Sequence, residues 1–243
     1  MKTFSALGVY GLTAITCVVA EIPGRVARID AVAADMVVAQ IALLLDQFPV
    51  AAIKTGLLYS AEIVARVAAA LRGRAIPLVV DPVMVASSGD GLLQNEGIAV
   101  YEQQLFPLAA LITPNLDEAA TLLGEQLTDL DAMRKGGLEL HARYQVPILL
   151  KGGHLGTDEA VDLLFTASGV AEFRAPFTRG VETHGSGCTY AAAITASLAC
   201  GCDLPEAVRR AKRYVSTAIA QSFRWAGRHG APIDALHHQP PLA

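Results

Sequence analysis

Short apolar runs alternate with longer stretches of helical periodicity along almost the whole chain. The runs at 50–54, 77–81, 109–113 and 147–151 read as buried strands, and 12–20, rich in Thr, Ile and Val, reads as an earlier one. Between them, 36–45, 61–72, 94–105, 116–123 and 130–144 carry apolar positions at helical spacing. Gly73 stops one helix and Pro82 and Pro114 stop two strands. Residues 1–7 read as the last turns of a helix that Gly8 or Gly11 ends. Residues 160–166 and 172–177 look like a β pair. Two helices close the pattern at 188–200 and 205–223, with Pro205 and Glu206 favourably placed in the first turn of the second. Residues 228–243 read as a loose tail. Strands that alternate with helices in this way predict an α/β fold, with a mainly parallel sheet covered on both faces.

In such sheets ligands bind beyond the carboxyl ends of the strands. Four polar motifs fall there: Lys54-Thr55-Gly56, Asp81-Pro82, Thr113-Pro114-Asn115 and Lys151-Gly152-Gly153. Their coincidence predicts one shared site. A fifth motif, Thr183-His184-Gly185-Ser186-Gly187-Cys188-Thr189, runs straight into the small-residue helix after it. Gly185 and Gly187 allow a tight turn and a close backbone approach, and the first N–H groups of a helix favour an anion. Cys188 would stand in that field, which lowers a thiol pKa and can make it a base or a nucleophile. The same stretch fits a glycine turn before an ordinary buried helix.

Composition narrows the class. A chain of 243 residues fits one α/β domain as readily as two small ones, and 53% hydrophobic residues supply a large core. The net charge of −4 with no basic block argues against a nucleic-acid partner. Cys17, Cys188, Cys200 and Cys202 follow no zinc-ligand spacing and read as thiols of a reduced, cytoplasmic protein. Lys2 precedes an apolar run over 4–20 that ends in a signal-like Val18-Val19-Ala20. Gly8, Tyr10, Gly11, Thr13 and Thr16 break it, which argues against a signal peptide and against a membrane span.

Several side chains have two uses. Asp81 closes a buried strand, where a metal or a cation would stabilise it, although a turn acceptor fits as well. Glu118, three residues after Asn115, suits a capping box or a carboxylate reaching magnesium through water, and both can hold together. Lys151 before two glycines suits a phosphate contact or a plain strand end. His154 fits a loop hydrogen bond or a phosphate contact, and His184 fits loop support. Tyr214, Phe223 and Trp225 read as core or interface. Phosphoryl transfer needs in-line positioning, charge neutralisation and a base for the attacking hydroxyl, which the loop, the carboxylates, Lys151 and Cys188 would supply.

The motifs from Asp81 to Asp90, Thr113 to Ala119, Lys151 to His154 and His184 to Thr189 come in that order after Lys2-Thr3-Phe4-Ser5-Ala6-Leu7-Gly8. Together they resemble the hydroxymethylpyrimidine/phosphomethylpyrimidine kinases of thiamine biosynthesis, in the ribokinase superfamily. The resemblance implies a ribokinase-like three-layer α/β/α sandwich, with a single kinase domain over 1–230 and a tail over 231–243. It implies ATP-dependent phosphorylation of 4-amino-5-hydroxymethyl-2-methylpyrimidine and of its monophosphate, with Mg2+, commonly in a homodimer. Carried over by motif, Cys188 would be the base, and Gly185, Ser186 and Gly187 the anion hole. Asp81 and Glu118 would manage magnesium. Asn115 and Lys151 would meet nucleotide phosphates, and Gly56, Leu57 and Val83 would line the pyrimidine pocket.

Two departures stand out. The family begins with a further strand and a Gly-x-Asp-x-Ser-Gly-Gly-Ala-Gly-like loop, so this chain is expected to lack a central strand and one wall of the substrate site. Glu21 stands where the family usually has a glutamine that hydrogen-bonds the pyrimidine, and an ionised carboxylate accepts but cannot donate. Leu57 stands where relatives often have methionine. The departures keep two rivals open: a pyridoxal-type kinase and a non-catalytic ligand-binding remnant.

Overall fold

The structure, a computed structural model, describes residues 1–22, 25–84, 95–153, 155, 158–181, 184–227 and 232–239. The expected 87–91 loop, Gln94, His154 and Thr183 lie outside the described residues. In chain order the elements are α1 (Lys2–Ala6), β1 (Cys17–Ile22), β2 (Arg25–Ala31), α2 (Ala34–Gln47), β3 (Ile53–Thr55), α3 (Ala61–Leu71), β4 (Leu78–Val80), α4 (Asn95–Val100), β5 (Leu111–Ile112), α5 (Leu116–Leu123), α6 (Leu130–Tyr144), β6 (Ile148–Gly152), β7 (Glu159–Thr166), β8 (Gly169–Pro176), α7 (Ser186–Ala199), α8 (Leu204–Ala220), β9 (Phe223–Ala226) and β10 (Pro232–Ala235).

Six strands form one sheet in the order β3-β4-β5-β6-β7-β8. β3 to β6 run parallel, and β7 and β8 extend the sheet antiparallel as the expected β pair. Successive side chains point to opposite faces. Val80, Ile112, Ile148 and Leu150 therefore pack against Ile63, Val64, Tyr101 and Leu140 on one side. Val79, Leu111, Leu149 and Leu164 pack against Tyr190, Ile194, Val208 and Val215 on the other. The result is the three-layer α/β/α sandwich with a mainly parallel central sheet. Polar side chains fix where helices start: Ser60 accepts the Ile63 N–H at 3.2 Å, Asp129 that of Ala132 at 2.8 Å and Asp203 that of Glu206 at 2.9 Å.

The first strand departs from the sequence expectation. It starts at Cys17 rather than near 12, because side chains, not a neighbouring strand, hold the backbone before it. Gln40 accepts the Ile15 N–H at 2.9 Å and donates to the Ile15 carbonyl at 3.1 Å, and the Thr16 hydroxyl donates to the Leu57 carbonyl at 2.7 Å. β1 then pairs antiparallel with β2 in a hairpin separate from the main sheet. The pattern hid β2, because most of its side chains face solvent.

The 228–243 segment is a second correction. Within its described part, β10 pairs antiparallel with β9. Arg224 grips Asp234 with two hydrogen bonds, at 2.6 and 2.7 Å, and Leu236 is buried. The Tyr214 hydroxyl donates to the His238 carbonyl at 2.6 Å. Tyr214 is core as expected. Phe223 and Trp225 are not core, because α8 ends at Ala220 and both side chains sit exposed on β9, which leaves the interface half of that expectation open.

A cavity of about 960 Å³ lies beside β3. Phe4 and Ala196 line it from one helical layer and Ile41 and Leu45 from the other, so it continues the plane of the sheet past β3. No helix among the described residues is long and apolar enough to cross a membrane.

Candidate functional site

The carboxyl ends of β3 to β6 meet at Asp81, which follows β4 and is 2% exposed. Its Oδ1 accepts from Lys151 Nζ at 3.0 Å and from the Thr113 hydroxyl at 3.2 Å. Lys54 Nζ lies 3.7 Å from the other oxygen, Oδ2. Parallel neighbours with evenly stepped registers bring these residues level, and this is why four separate motifs make one cluster. Burial works against a charged Asp81. Lys151 and then Lys54, with the hydrogen bonds from Lys151 and Thr113, overcome it and hold the carboxyl below its ordinary range. Burial also opposes the Lys151 charge, which Asp81 and Glu118 more than restore.

Asn115 and Glu118 open α5 with a capping box. The Asn115 side chain accepts the Glu118 N–H at 2.8 Å, and Glu118 Oε2 accepts the Asn115 N–H at 2.8 Å. An isolated bridge joins the Asn115 backbone to that of Lys151. Glu118 is 5% exposed, and burial pushes its pKa up to about 7. Asp81 adds to that push, while Lys151 and the Asn115 N–H oppose it.

Gly185 caps α7 at φ +78°, in the left-handed region, and Ser186 and Gly187 form the first turn. A Cβ on Gly187 would stand 3.2 Å from Lys151 Nζ, so this turn rests directly against the lysine. Cys188 follows and lines the cavity with Lys54, Gly56 and Leu57. Its pKa corrects the sequence expectation. Burial raises it, with the Asp81 carboxylate adding to the rise, and Lys54 and Lys151 do not compensate. By surface area Cys188 is nonetheless exposed, on the cavity that it lines.

The structure thus gathers Asp81, Asn115, Glu118, Lys151, Gly185, Ser186, Gly187 and Cys188 at one place, with Gly56 and Leu57 on the adjoining cavity wall. Val83 follows two residues after Asp81, its N–H bonded to the Asp81 carbonyl at 2.9 Å, but it does not line the cavity. Glu21 sits on β1, away from the cavity lining, with its Oε1 3.7 Å from His184 Nε2. Two residues were quoted in motifs without a role, Lys54 and Thr113. Both stand at the end of a buried strand, the signal that marked Asp81 and Lys151. The four cysteines are free thiols.

An open α/β sheet with cations and a glycine-capped helix gathered at its carboxyl ends defines a protein class that holds anionic ligands at this edge. Within that class the chain belongs to the phosphomethylpyrimidine kinase family, whose model matches residues 1–233. It is 40% identical over 237 residues to the thiamine biosynthesis bifunctional protein of Geobacter sulfurreducens, covering 97% of this chain and 48% of that protein. It is 39% identical over 239 residues to the hydroxymethylpyrimidine/phosphomethylpyrimidine kinase of Rhizobium meliloti, covering 98% of this chain and 90% of the relative. Among solved structures, the ADP complex of Bacillus subtilis pyridoxal kinase superposes with a TM-score of 0.89 at 33% identity, over 98% of this chain and 90% of that one.

Proposed function

We propose that the chain transfers the γ-phosphoryl group of ATP to the hydroxymethyl oxygen of 4-amino-5-hydroxymethyl-2-methylpyrimidine, and in a second turnover to the phosphate of the monophosphate. Family membership supports the reaction. The observation that carries the site assignment is the contact between the Lys151 ammonium, the Asp81 carboxylate and the first turn of α7. Phosphoryl transfer asks chiefly for fixed positive charge and N–H donors around the moving group, and this cluster supplies both.

In this reading Lys151 and Asn115 meet the nucleotide phosphates, and the N–H groups of Gly185, Ser186 and Gly187 receive the transferring group. Cys188 takes the proton of the attacking hydroxyl. Mg2+ with nucleotide takes one or two carboxylates and completes its shell with water and phosphate oxygens. Asp81 and Glu118, both buried and close enough for the Asp81 carboxylate to raise the Glu118 pKa, fit that demand. The ion would supply charge neutralisation for the phosphates. Gly56 and Leu57 on the cavity wall face the pyrimidine, whereas Val83 and Glu21, which the resemblance also assigns to its pocket, lie off that wall. A homodimer is the expected assembly, for which the exposed Val18, Ile22, Met36 and Leu43 supply apolar surface.

The pyridoxal-type alternative draws on the superposition with a pyridoxal kinase and on the carboxylate at Glu21. Steady-state ADP release with either alcohol as acceptor separates the two. The proposal predicts a higher kcat/KM for the pyrimidine, and a higher value for pyridoxal would overturn it.

A further inference from the structure

Two lysines hold Asp81, and they lean on different parts of the site. Lys151 binds Oδ1 at 3.0 Å and rests on the first turn of α7, 3.2 Å from where a Gly187 Cβ would be. Lys54 faces Oδ2 at 3.7 Å and rests on Gly56, 2.8 Å from where its Cβ would be. The first lies against the helix N-terminus, the second against the cavity wall. At 3.7 Å the Lys54 contact is an ion pair without a hydrogen bond. Among the described residues no hydrogen bond uses any of its three N–H donors, although the side chain is only 15% exposed. Its ammonium opens on the cavity, where the unused donors are placed to meet an anionic ligand. Lys54 lines the same cavity as Cys188, so such a ligand would come from the acceptor side.

We propose that Lys54 binds the phosphate of the monophosphate acceptor and selects that acceptor in the second transfer. This rests on the kinase reading above. The first acceptor is a neutral alcohol that gains little from an ammonium. The second carries a phosphomonoester with close to two negative charges near neutral pH, which must approach a triphosphate. In that transfer an oxygen of the acceptor phosphate bonds to the γ-phosphorus while the bond from that phosphorus to the β–γ bridging oxygen breaks. The bridging oxygen keeps the electron pair and leaves with ADP. Lys54 stands where it offsets the repulsion between the two anions, and Lys151 remains with the nucleotide.

The test compares wild type with Lys54→Gln and Lys54→Arg on both acceptors with ATP and Mg2+. Charge-assisted hydrogen bonds contribute about 1.5–3 kcal/mol. The ratio of kcat/KM for monophosphate over alcohol is therefore expected to fall about tenfold to hundredfold in K54Q, mainly through KM, and to recover largely in K54R. Lys54→Met gives the same comparison should K54Q not fold. Equal losses on the two acceptors would reduce Lys54 to a neutraliser of Asp81 and overturn the proposal. A second arm needs no turnover: the pyrimidine monophosphate alone should raise the unfolding temperature of wild type and not of K54Q. Wild type that binds the monophosphate yet phosphorylates nothing would refute the kinase reading and leave Lys54 as its phosphate site. No shift in wild type would overturn the Lys54 proposal itself.

Discussion

His184 Nε2 lies 3.7 Å from Glu21 Oε1, so the β1–β2 hairpin is tied to the loop that opens α7. The tie is an ion pair only while the imidazole is protonated, and it occupies a carboxylate where the family resemblance leads one to expect an amide. Glu21→Gln restores a group that both donates and accepts. A matched polar contact in place of an unmatched one is worth about 1–3 kcal/mol, so E21Q is expected to raise kcat/KM for the pyrimidine alcohol roughly tenfold. An unchanged or lower value would show that Glu21 does not reach the ring.

Much of this arrangement is legible in the sequence, because strand ends in a parallel sheet converge. Asp81, Asn115 and Lys151 each follow a short apolar run, and the fold aligns those runs. α5 and α6 have the expected bounds, since Asn115 and Asp129 cap them. What stayed hidden depends on partners distant in the chain. β2 presents exposed side chains and pairs only with β1. β10 is held by an Arg224–Asp234 contact that no local pattern shows. Lys54 reads like any strand-end lysine until Asp81 stands beside it. The field of a helix N-terminus predicts an acidic Cys188, but desolvation by the surrounding protein and the Asp81 carboxylate push its pKa up.

In the proposed reaction Cys188 has different work in the two transfers. An alcohol must lose a proton to attack, whereas a phosphomonoester dianion has none to lose. Cys188→Ala is expected to reduce turnover of the alcohol by about 10²- to 10⁴-fold, the usual range for a positioned base, and that of the monophosphate by less than about tenfold. Because the thiol pKa is raised, wild-type turnover of the alcohol should keep rising with pH into the alkaline range, and C188A should lose that limb. Equal losses on both acceptors would take Cys188 out of proton transfer.

Glu118 links the site to stability. Its pKa of about 7 in the fold lies above the ordinary carboxyl value of 4.5. Between those values the folded state binds more protons than the unfolded chain, so stability falls as pH rises through the window. The contribution is fully present below about pH 4.5 and is lost by about pH 7, with a magnitude on the order of 3 kcal/mol. Glu118→Gln keeps an oxygen to accept the Asn115 N–H and removes the titration. Denaturant unfolding without ligand should show wild type losing stability relative to E118Q from pH 5 to 7.5. A constant difference across that range would contradict this assignment.

The close fit of α6 on the sheet gives a prediction independent of the chemistry. A Cβ on Gly137 would stand 2.1 Å from the ring of Phe165, which is fully buried and cannot swing aside. Alanine is the better helix former, yet overpacking of this kind costs about 1–3 kcal/mol. Gly137→Ala should therefore lower Tm by several degrees. A Tm at or above that of wild type would show that the helix can shift away.

The central claim is phosphoryl transfer to a pyrimidine at the Asp81–Lys151–Cys188 cluster. The most direct measurement is a ³¹P NMR time course of the purified chain with ATP, Mg2+ and 4-amino-5-hydroxymethyl-2-methylpyrimidine. The account predicts that a phosphomonoester resonance grows first and a coupled diphosphate pair of the pyrimidine follows, each matched by ADP. ATP left intact, or ADP that appears with inorganic phosphate alone, would contradict it.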